Sequence, residues 1–383
     1  MSTINHEFTQ APDLHYLNHA AVAPWPKRAT EAVIQFAQEN TLYGAQHYPK
    51  WMKVEHSLRR RLRRLINAPS IDDIALVKNT SEALSFVAFG LNWQAGDQVV
   101  ISDQEFPSNR VVWEALERFG VEVISVSLDH DPEAQLLNAC TARTRLLSIS
   151  AVQYASGLKL DLIRLGKGCR TKGVLFCVDA IQQLGAQAFD VQAIDCDFAM
   201  ADGHKWLLGP EGLGVFYCRA ALRDALQLHE YGWHMLEHIG DYTRTDWQIA
   251  KGARRFECGS PNMLGTMALE ASLSLLEEIG IEAIAKAIDE RVLWLAGALQ
   301  NIEGCQLHTD LTPHRRSGIL TFSVAQISSD TLYQKLMERQ VICANRGAGV
   351  RFSPHFYTSY ASLEASVAHI KAIIDDLAIR SKN

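Results

Sequence analysis

The chain has no apolar run of about 18 residues, the length a membrane-spanning helix needs, and no secretory signal pattern at its N-terminus. Its eight cysteines form no Cys-x-x-Cys pair, and several sit inside apolar runs such as Phe176-Cys177-Val178 and Tyr217-Cys218. That scatter argues against a disulfide scaffold and a zinc site, so the thiols are read as reduced core residues and no metal is expected. Positive charge is not in excess: 37 Lys and Arg face 43 Asp and Glu, a net of −6. A nucleic acid or a membrane surface is therefore not the expected partner. No repeat or low-complexity segment is present. No Gly-x-Gly-x-x-Gly follows a strand candidate, which sets a nicotinamide dehydrogenase low. These absences together predict a soluble, cytoplasmic protein.

What is present is ordinary globular material: 383 residues, 48% hydrophobic and 21% charged, enough for two domains. From residue 73 onward, short apolar runs alternate with helical patterns. Strand candidates are Ile74–Val77, Gln98–Ile101, Val121–Val126, Leu146–Ile149, Val174–Val178, Phe198–Ala201 and Gly214–Tyr217. They are continuously apolar, as strands buried on both faces are. Helical stretches such as Glu82–Leu91 and Asn109–Phe119 lie between them, so the fold class is α/β, a mostly parallel seven-stranded sheet flanked by helices. Beyond residue 260 the pattern turns helical, over Gly265–Ile279, Ile281–Gln300, Asp330–Arg339 and Ser362–Ile379, with one strand candidate at Gly318–Val324. The expected organisation is a large domain over 26–262 and a smaller α+β domain over 263–383. Residues 1–25 form a segment packing on the small domain. The basic run Arg59–Arg64 reads as the wet face of a helix, with Leu62, Leu65 and Ile66 as its apolar stripe.

In open parallel sheets, ligands bind at the carboxyl ends of the strands. Several reactive residues follow strand candidates. Asn79-Thr80-Ser81 opens a helix, whose free N–H groups suit a phosphate, although a plain helix cap explains the same residues. Asp179 ends an apolar strand, where a carboxylate is costly unless paired; a protonated pyridine nitrogen would supply the partner. Gln182, three residues on, could reach the same ligand. Lys205 lies in Asp202-Gly203-His204-Lys205-Trp206, flanked by glycines and a proline, so a turn is expected. In a partly dry cleft its amine would be driven toward the neutral form, which can condense with an aldehyde to a Schiff base. Phe106 offers a face for stacking on a ring, and Arg351 a fork suited to a carboxylate. Each has a bland alternative: a core Phe, a structural ion pair, a surface Lys.

The order of these elements carries more than any one of them. Val178-Asp179-Ala180-Ile181-Gln182, then Asp202-Gly203-His204-Lys205-Trp206, then Phe256-Glu257-Cys258-Gly259-Ser260-Pro261-Asn262 make the chain resemble the class V aminotransferase family of fold-type I pyridoxal-phosphate (PLP) enzymes. The likeness runs from Tyr16-Leu17-Asn18-His19-Ala20-Ala21 to Arg351–Tyr357 and takes in cysteine desulfurases, selenocysteine lyases, kynureninases and isopenicillin-epimerase-like proteins. The resemblance implies pyridoxal 5'-phosphate as cofactor and Lys205 as the catalytic Schiff-base lysine. It implies that Asp179 meets the pyridine nitrogen, Gln182 the ring hydroxyl, and Thr80, Ser81 and His204 the phosphate, with Phe106 stacked on the ring. Gly259 and Ser260 would reach the phosphate of a neighbouring subunit, hence a homodimer with shared sites. Arg351 would hold the carboxylate of a small amino-acid substrate, with Asn18 and His19 lining its pocket.

Two departures bear on the reaction. Desulfurases of this family carry a nucleophilic Cys on a flexible loop before the substrate Arg. Here Cys343 follows the strand-like Val341-Ile342, and Asn345–Gly349 is a tight turn too short for that loop, so Cys343 reads as structural. Phe106 stands where desulfurases place a His. The expectation is transaminase or C–S/β-lyase chemistry, with an epimerase or a kynureninase-like hydrolase as the alternative. A non-catalytic PLP-binding regulator is a distant third.

Overall fold

The computed structural model describes residues 5–380; of the expected N-terminal segment, residues 1–4 lie outside the described residues. A two-residue strand, β1 (His15–Tyr16), precedes seven longer ones: β2 (Ile74–Val77), β3 (Gln98–Ser102), β4 (Glu122–Val126), β5 (Thr144–Ser150), β6 (Leu175–Asp179), β7 (Phe198–Asp202) and β8 (Gly214–Cys218). Each of the seven overlaps a strand candidate, and all seven join one sheet in the order β2-β8-β7-β6-β5-β3-β4. The pairs from β4 through β7 are parallel; β8 is antiparallel to both β7 and β2. The short 203–213 connection explains the reversal, because a parallel return would need a crossover of a dozen or more residues.

Alternate strand residues enter two separate cores. Val100, Leu147, Phe176 and Val178 face one, and Val99, Ile101, Leu146 and Cys177 face the other. Both sheet faces are therefore dry, which is why the strands read as unbroken apolar runs. The helices covering them are α1 (Lys27–Tyr43), α2 (Tyr48–Leu65), α3 (Thr80–Gly90), α4 (Ser108–Glu114), α5 (Pro132–Ala139), α6 (Leu162–Lys172), α7 (Val191–Ile194) and α8 (Met263–Ile279). The single helix expected over 109–119 is instead α4 and a separate 3-10 turn, Glu117–Phe119, stopped by Gly120 at φ +78°.

After α8 come α9 (Ile281–Gln300), β9 (Cys305–Leu307), β10 (Leu320–Val324), α10 (Ser329–Glu338), β11 (Val341–Ile342), β12 (Ala344–Arg346), β13 (Gly349–Phe352) and α11 (Tyr360–Arg380). Strands β12-β13-β10-β9 form an antiparallel four-stranded sheet. Strand β1 pairs in parallel with β11, and Asn18 bridges to Ser353. Residues 15–19 thus run as a strap along the 340–353 stretch. No helix among the described residues is long and apolar enough to cross a membrane.

The basic run in α2 is not simply a wet face. Arg59 is buried and its guanidinium bridges two buried carboxylates, Glu55 at 2.6 Å and Glu257 at 2.6 Å. Arg61 pairs with Glu270 and Glu277 on α8. The charges dock α2 against its neighbours, because each inward Arg meets a carboxylate far away in sequence that no local pattern reveals. His234 also approaches Glu55 and Glu257 closely enough for a shared metal, but the Arg59 guanidinium already occupies both carboxylates.

Candidate active site

The carboxyl ends of the sheet open into a cleft of about 270 Å³. Asp179 closes β6 and Asp202 closes β7; Thr80 and Ser81 open α3 just after β2, and Phe106 follows β3. All of them line the cleft with Gln182, His204, Lys205 and Arg351. Residues spread over most of the chain thus converge because parallel strands end on one edge.

Lys205 sits in the turn after β7. That turn is held from behind by Trp206, wholly buried, whose Nε1 donates to Gln182 Oε1 at 2.9 Å. A Cβ at Gly318 would come within 2.3 Å of the Trp206 ring, so only glycine there admits it. Leu208 closes the turn at φ +59°, a left-handed conformation that costs a non-glycine residue roughly 1–3 kcal/mol and is kept only where packing imposes it. The amine keeps an opening to the cleft, and its Nζ lies 5.6 Å from the centre of the Phe106 ring. Burial lowers its pKa while the Asp179 charge pulls it partly back, so the neutral amine is within easy reach. Asp179 moves the other way, raised chiefly by burial, with one backbone N–H from Ile181 at 3.0 Å as support. It makes no ion pair among the described residues. A cation presented to it would hold it ionised.

The phosphate-suited end is equally under-partnered. Asn79 Oδ1 caps α3 through the Glu82 N–H, as a plain cap would. Yet Thr80 Oγ1 and His204 Nδ1 are buried without a hydrogen-bond partner among the described residues. Burial and the neighbouring Lys205 charge lower the His204 pKa to about 4, so the ring is neutral at pH 7. Gln182 is engaged at both ends, its Oε1 accepting from Trp206 and its Nε2 donating to the Ala20 carbonyl at 2.9 Å, which leaves one amide hydrogen for a ligand.

At the other end Arg351 is 1% exposed. Its Nη1 donates to the Tyr154 carbonyl at 2.7 Å, its Nη2 to Asn18 Oδ1 at 3.5 Å, and its Nε to nothing. No carboxylate pairs with it among the described residues, so the alternative of a structural ion pair fails here. Burying a guanidinium without an anion is costly, and an incoming carboxylate would relieve that cost.

Other expected residues fall outside the cleft. Asn18 stands behind Arg351. His19 is wholly buried: its Nδ1 donates to the Ser353 carbonyl at 2.8 Å and its Nε2 accepts from the Tyr357 hydroxyl at 2.7 Å. Both ring nitrogens are used, so His19 fastens the strap and does not face the cleft. Gly259 and Ser260 line an adjoining cavity of about 280 Å³. Tyr154, Asp202 and Arg346 line the cleft although sequence reasoning gave them no role. Tyr154 could have been found by the same strand-end rule, since it follows β5; its ring meets Phe106 edge-on at 5.2 Å. Cys343 is buried between β11 and β12, its thiol pushed up to about 12 by burial, and no cysteine lines the cleft.

The His19 arrangement sets a pH dependence. Burial lowers its pKa to about 4 in the fold, against about 6.5 for a free histidine. The unfolded chain therefore takes up this proton first. Stability is complete above about pH 6.5 and falls as the pH drops toward 4, by up to about 3 kcal/mol from this group. Urea unfolding at pH 7 and pH 4.5 should show a smaller difference in His19→Asn than in the native chain; an unchanged difference would refute the assignment.

The chain matches the family model "Aminotransferase class-V" over residues 15–367. It is 31% identical to a probable cysteine desulfurase of Methanothermobacter thermautotrophicus, over 87% of this chain and 83% of that protein. It is also 31% identical to a cysteine desulfurase of Pectobacterium carotovorum, over 82% and 78%. Among solved structures, the apo cysteine desulfurase of Thermococcus onnurineus superposes with a TM-score of 0.87 at 22% identity, covering 98% of each chain. The cystine C–S lyase C-DES, solved with its product cysteine persulfide, superposes at 0.86 with 23% identity, covering 94% of this chain and 97% of that one. With the strand-end cleft in place and the family model spanning nearly all of it, the chain belongs to the class-V aminotransferase family.

Proposed function

We propose that this protein is a PLP-dependent C–S lyase that eliminates sulfur from a small cysteine-like amino acid without a protein thiol. One observation carries the reading. A single cleft brings together a desolvated amine, Lys205, a buried carboxylate without a cationic partner, Asp179, and a buried guanidinium without an anion, Arg351. Those are the complements of an aldehyde, a pyridinium nitrogen and an amino-acid carboxylate.

The donor set fits the cofactor. Thr80, Ser81 and His204 would hold its phosphate, where Thr80 Oγ1 and His204 Nδ1 are otherwise idle. Asp179 would meet the ring nitrogen, Gln182 the ring hydroxyl, and Phe106 the ring face. Gly259 and Ser260 would complete the phosphate site of a second copy, making the working unit a homodimer. When bound, PLP supplies an aldehyde for the amine and a ring that takes up electrons. Arg351 orients the substrate by its carboxylate, with Asn18 bracing the guanidinium. Lys205 Nζ then removes the proton from the substrate α carbon and can return it. Its depressed pKa leaves it a base near neutral pH.

Transamination, elimination and epimerisation share that proton transfer. The names of the relatives support a sulfur-bearing substrate, and the cysteine-free cleft supports elimination over persulfide transfer. The holoenzyme incubated with cysteine or cystine should release pyruvate and ammonia in step with sulfur. Alanine in place of pyruvate would mean desulfurase-type chemistry and would sink the reading. Cys343→Ser should keep its turnover. In Arg351→Ala, substrate affinity should fall about ten- to a hundredfold with a smaller change in kcat. Steady-state kinetics decide this; an unchanged KM would remove Arg351 from the carboxylate site.

A further inference from the structure

We propose that the substrate carries a second anion at the end of its side chain, and that Arg346 receives it. The inference rests on the reading of Arg351 as the carboxylate anchor.

Two guanidinium groups line the cleft, Arg351 and Arg346, and both stand on one hairpin. In the β12–β13 pairing Ala344 lies opposite Arg351, and Arg346 opposite Gly349. The hairpin backbone is tightly specified. Gly347 turns it at φ +57°, and a Cβ at Gly349 would come within 2.1 Å of the Phe322 carbonyl oxygen. The root of the Arg346 side chain is thereby fixed beside the anchor.

Arg346 has no acidic partner within ion-pair distance among the described residues. Its guanidinium donates only to the carbonyl of its neighbour Asn345, at 2.8 Å. Asp330, near the hairpin, already accepts from Asn345, and Glu211, which also lines the cleft, forms no ion pair with Arg346 among the described residues. The Arg346 charge is near enough to depress Arg351, after burial, and it also weighs on Lys205. One small cleft is thus lined by two guanidiniums that repel one another, Arg351 buried and Arg346 exposed, and neither pairs with an acid among the described residues. One carboxylate satisfies Arg351 and leaves Arg346 over. The phosphate-suited donors Thr80, Ser81 and His204 belong to the sheet edge and not to this hairpin. A ligand with two anions a few bonds apart would relieve the buried Arg351 and pair with the exposed Arg346 at once. The substrate class is therefore a short amino acid with an anionic side chain, such as a carboxylate, a sulfinate, or a cysteine whose sulfur bears an anionic group.

Succinate and butyrate test this on the holoenzyme, because they have equal chain length and differ by one carboxylate. Binding is measured by calorimetry and by competition with turnover. Wild type should bind succinate at least tenfold more tightly than butyrate. Arg346→Ala should cost succinate at least tenfold and butyrate no more than twofold, and Arg346→Lys should recover part of the loss. Arg351→Ala should weaken both acids. Equal binding of the two acids by wild type overturns the proposal. So does an equal loss of both in Arg346→Ala, which would make Arg346 a helper of the first carboxylate. Loss of PLP from Arg346→Ala would assign it to the cofactor and overturn the proposal too. If Arg351→Ala changed neither acid, the underlying carboxylate-site reading would fail instead, and the two failures are told apart by that variant.

Discussion

Lys205→Ala is expected to lower turnover at least about a thousandfold while leaving the melting temperature within a few degrees of the native value. Burial drives the amine toward its neutral form, and its position opens toward Phe106 and Arg351. Among the described residues no side-chain hydrogen bond depends on it; the turn is kept by the backbone bond from Leu208 N to Lys205 O at 3.0 Å and by Trp206. Removing a desolvated amine also removes a folding cost, although Asp179 then loses a nearby positive charge. Turnover assays with circular dichroism melts check both halves. A variant with native turnover would end the lysine assignment. One that failed to fold would show the residue to be structural.

Arg59→Met is expected to destabilise the protein by about 3–5 kcal/mol, because it leaves two buried carboxylates without their shared cation. Glu55 and Glu257 are 4% and 8% exposed, and the Arg59 guanidinium also donates to the Ile74 carbonyl at 3.0 Å. Its pKa is raised by the two carboxylates in spite of burial. Glu257 further accepts the Leu76 N–H at 2.9 Å, tying the segment that leads to Gly259 onto β2. Replacing Glu55, Arg59 and Glu257 together by methionine should recover more than half of the loss, since no charge is then stranded. Urea denaturation measures both variants. A loss below about 1 kcal/mol in the single variant would mean that water reaches the carboxylates.

The contrast between these two residues shows what a sequence makes legible. The seven strands of the main sheet were visible because each is apolar on both faces. The position of Lys205 was visible because glycines, a proline and a strand end bracket it. Asp179 stood out as a carboxylate where an apolar strand stops. Arg59 was misread because Glu55, four residues before it on α2, looks like an ordinary surface pair, and the carboxylate that completes its burial, Glu257, is 198 residues away. His19 belongs to a motif that resembles a pocket lining, yet its two hydrogen bonds run to Ser353 and Tyr357, more than 300 residues away. Strand order and the antiparallel turn of β8 depend on which elements meet in space, and periodicity does not carry that. Arg346 escaped notice for the opposite reason: nothing around it is unusual until the fold brings it beside Arg351.

The strap also dictates an order of events during synthesis. Residues 15–19 bond to the backbone of Gln340, Ile342 and Ser353, so a segment made early waits for partners made more than 300 residues later. The sheet edge with Asp179 and Lys205 can form while translation continues, but the wall that holds Arg351 cannot close until residues 340–353 have emerged. A cleft with Arg351 held in place therefore exists only once residue 353 has been made, and a shorter nascent chain presents the sheet edge without that wall.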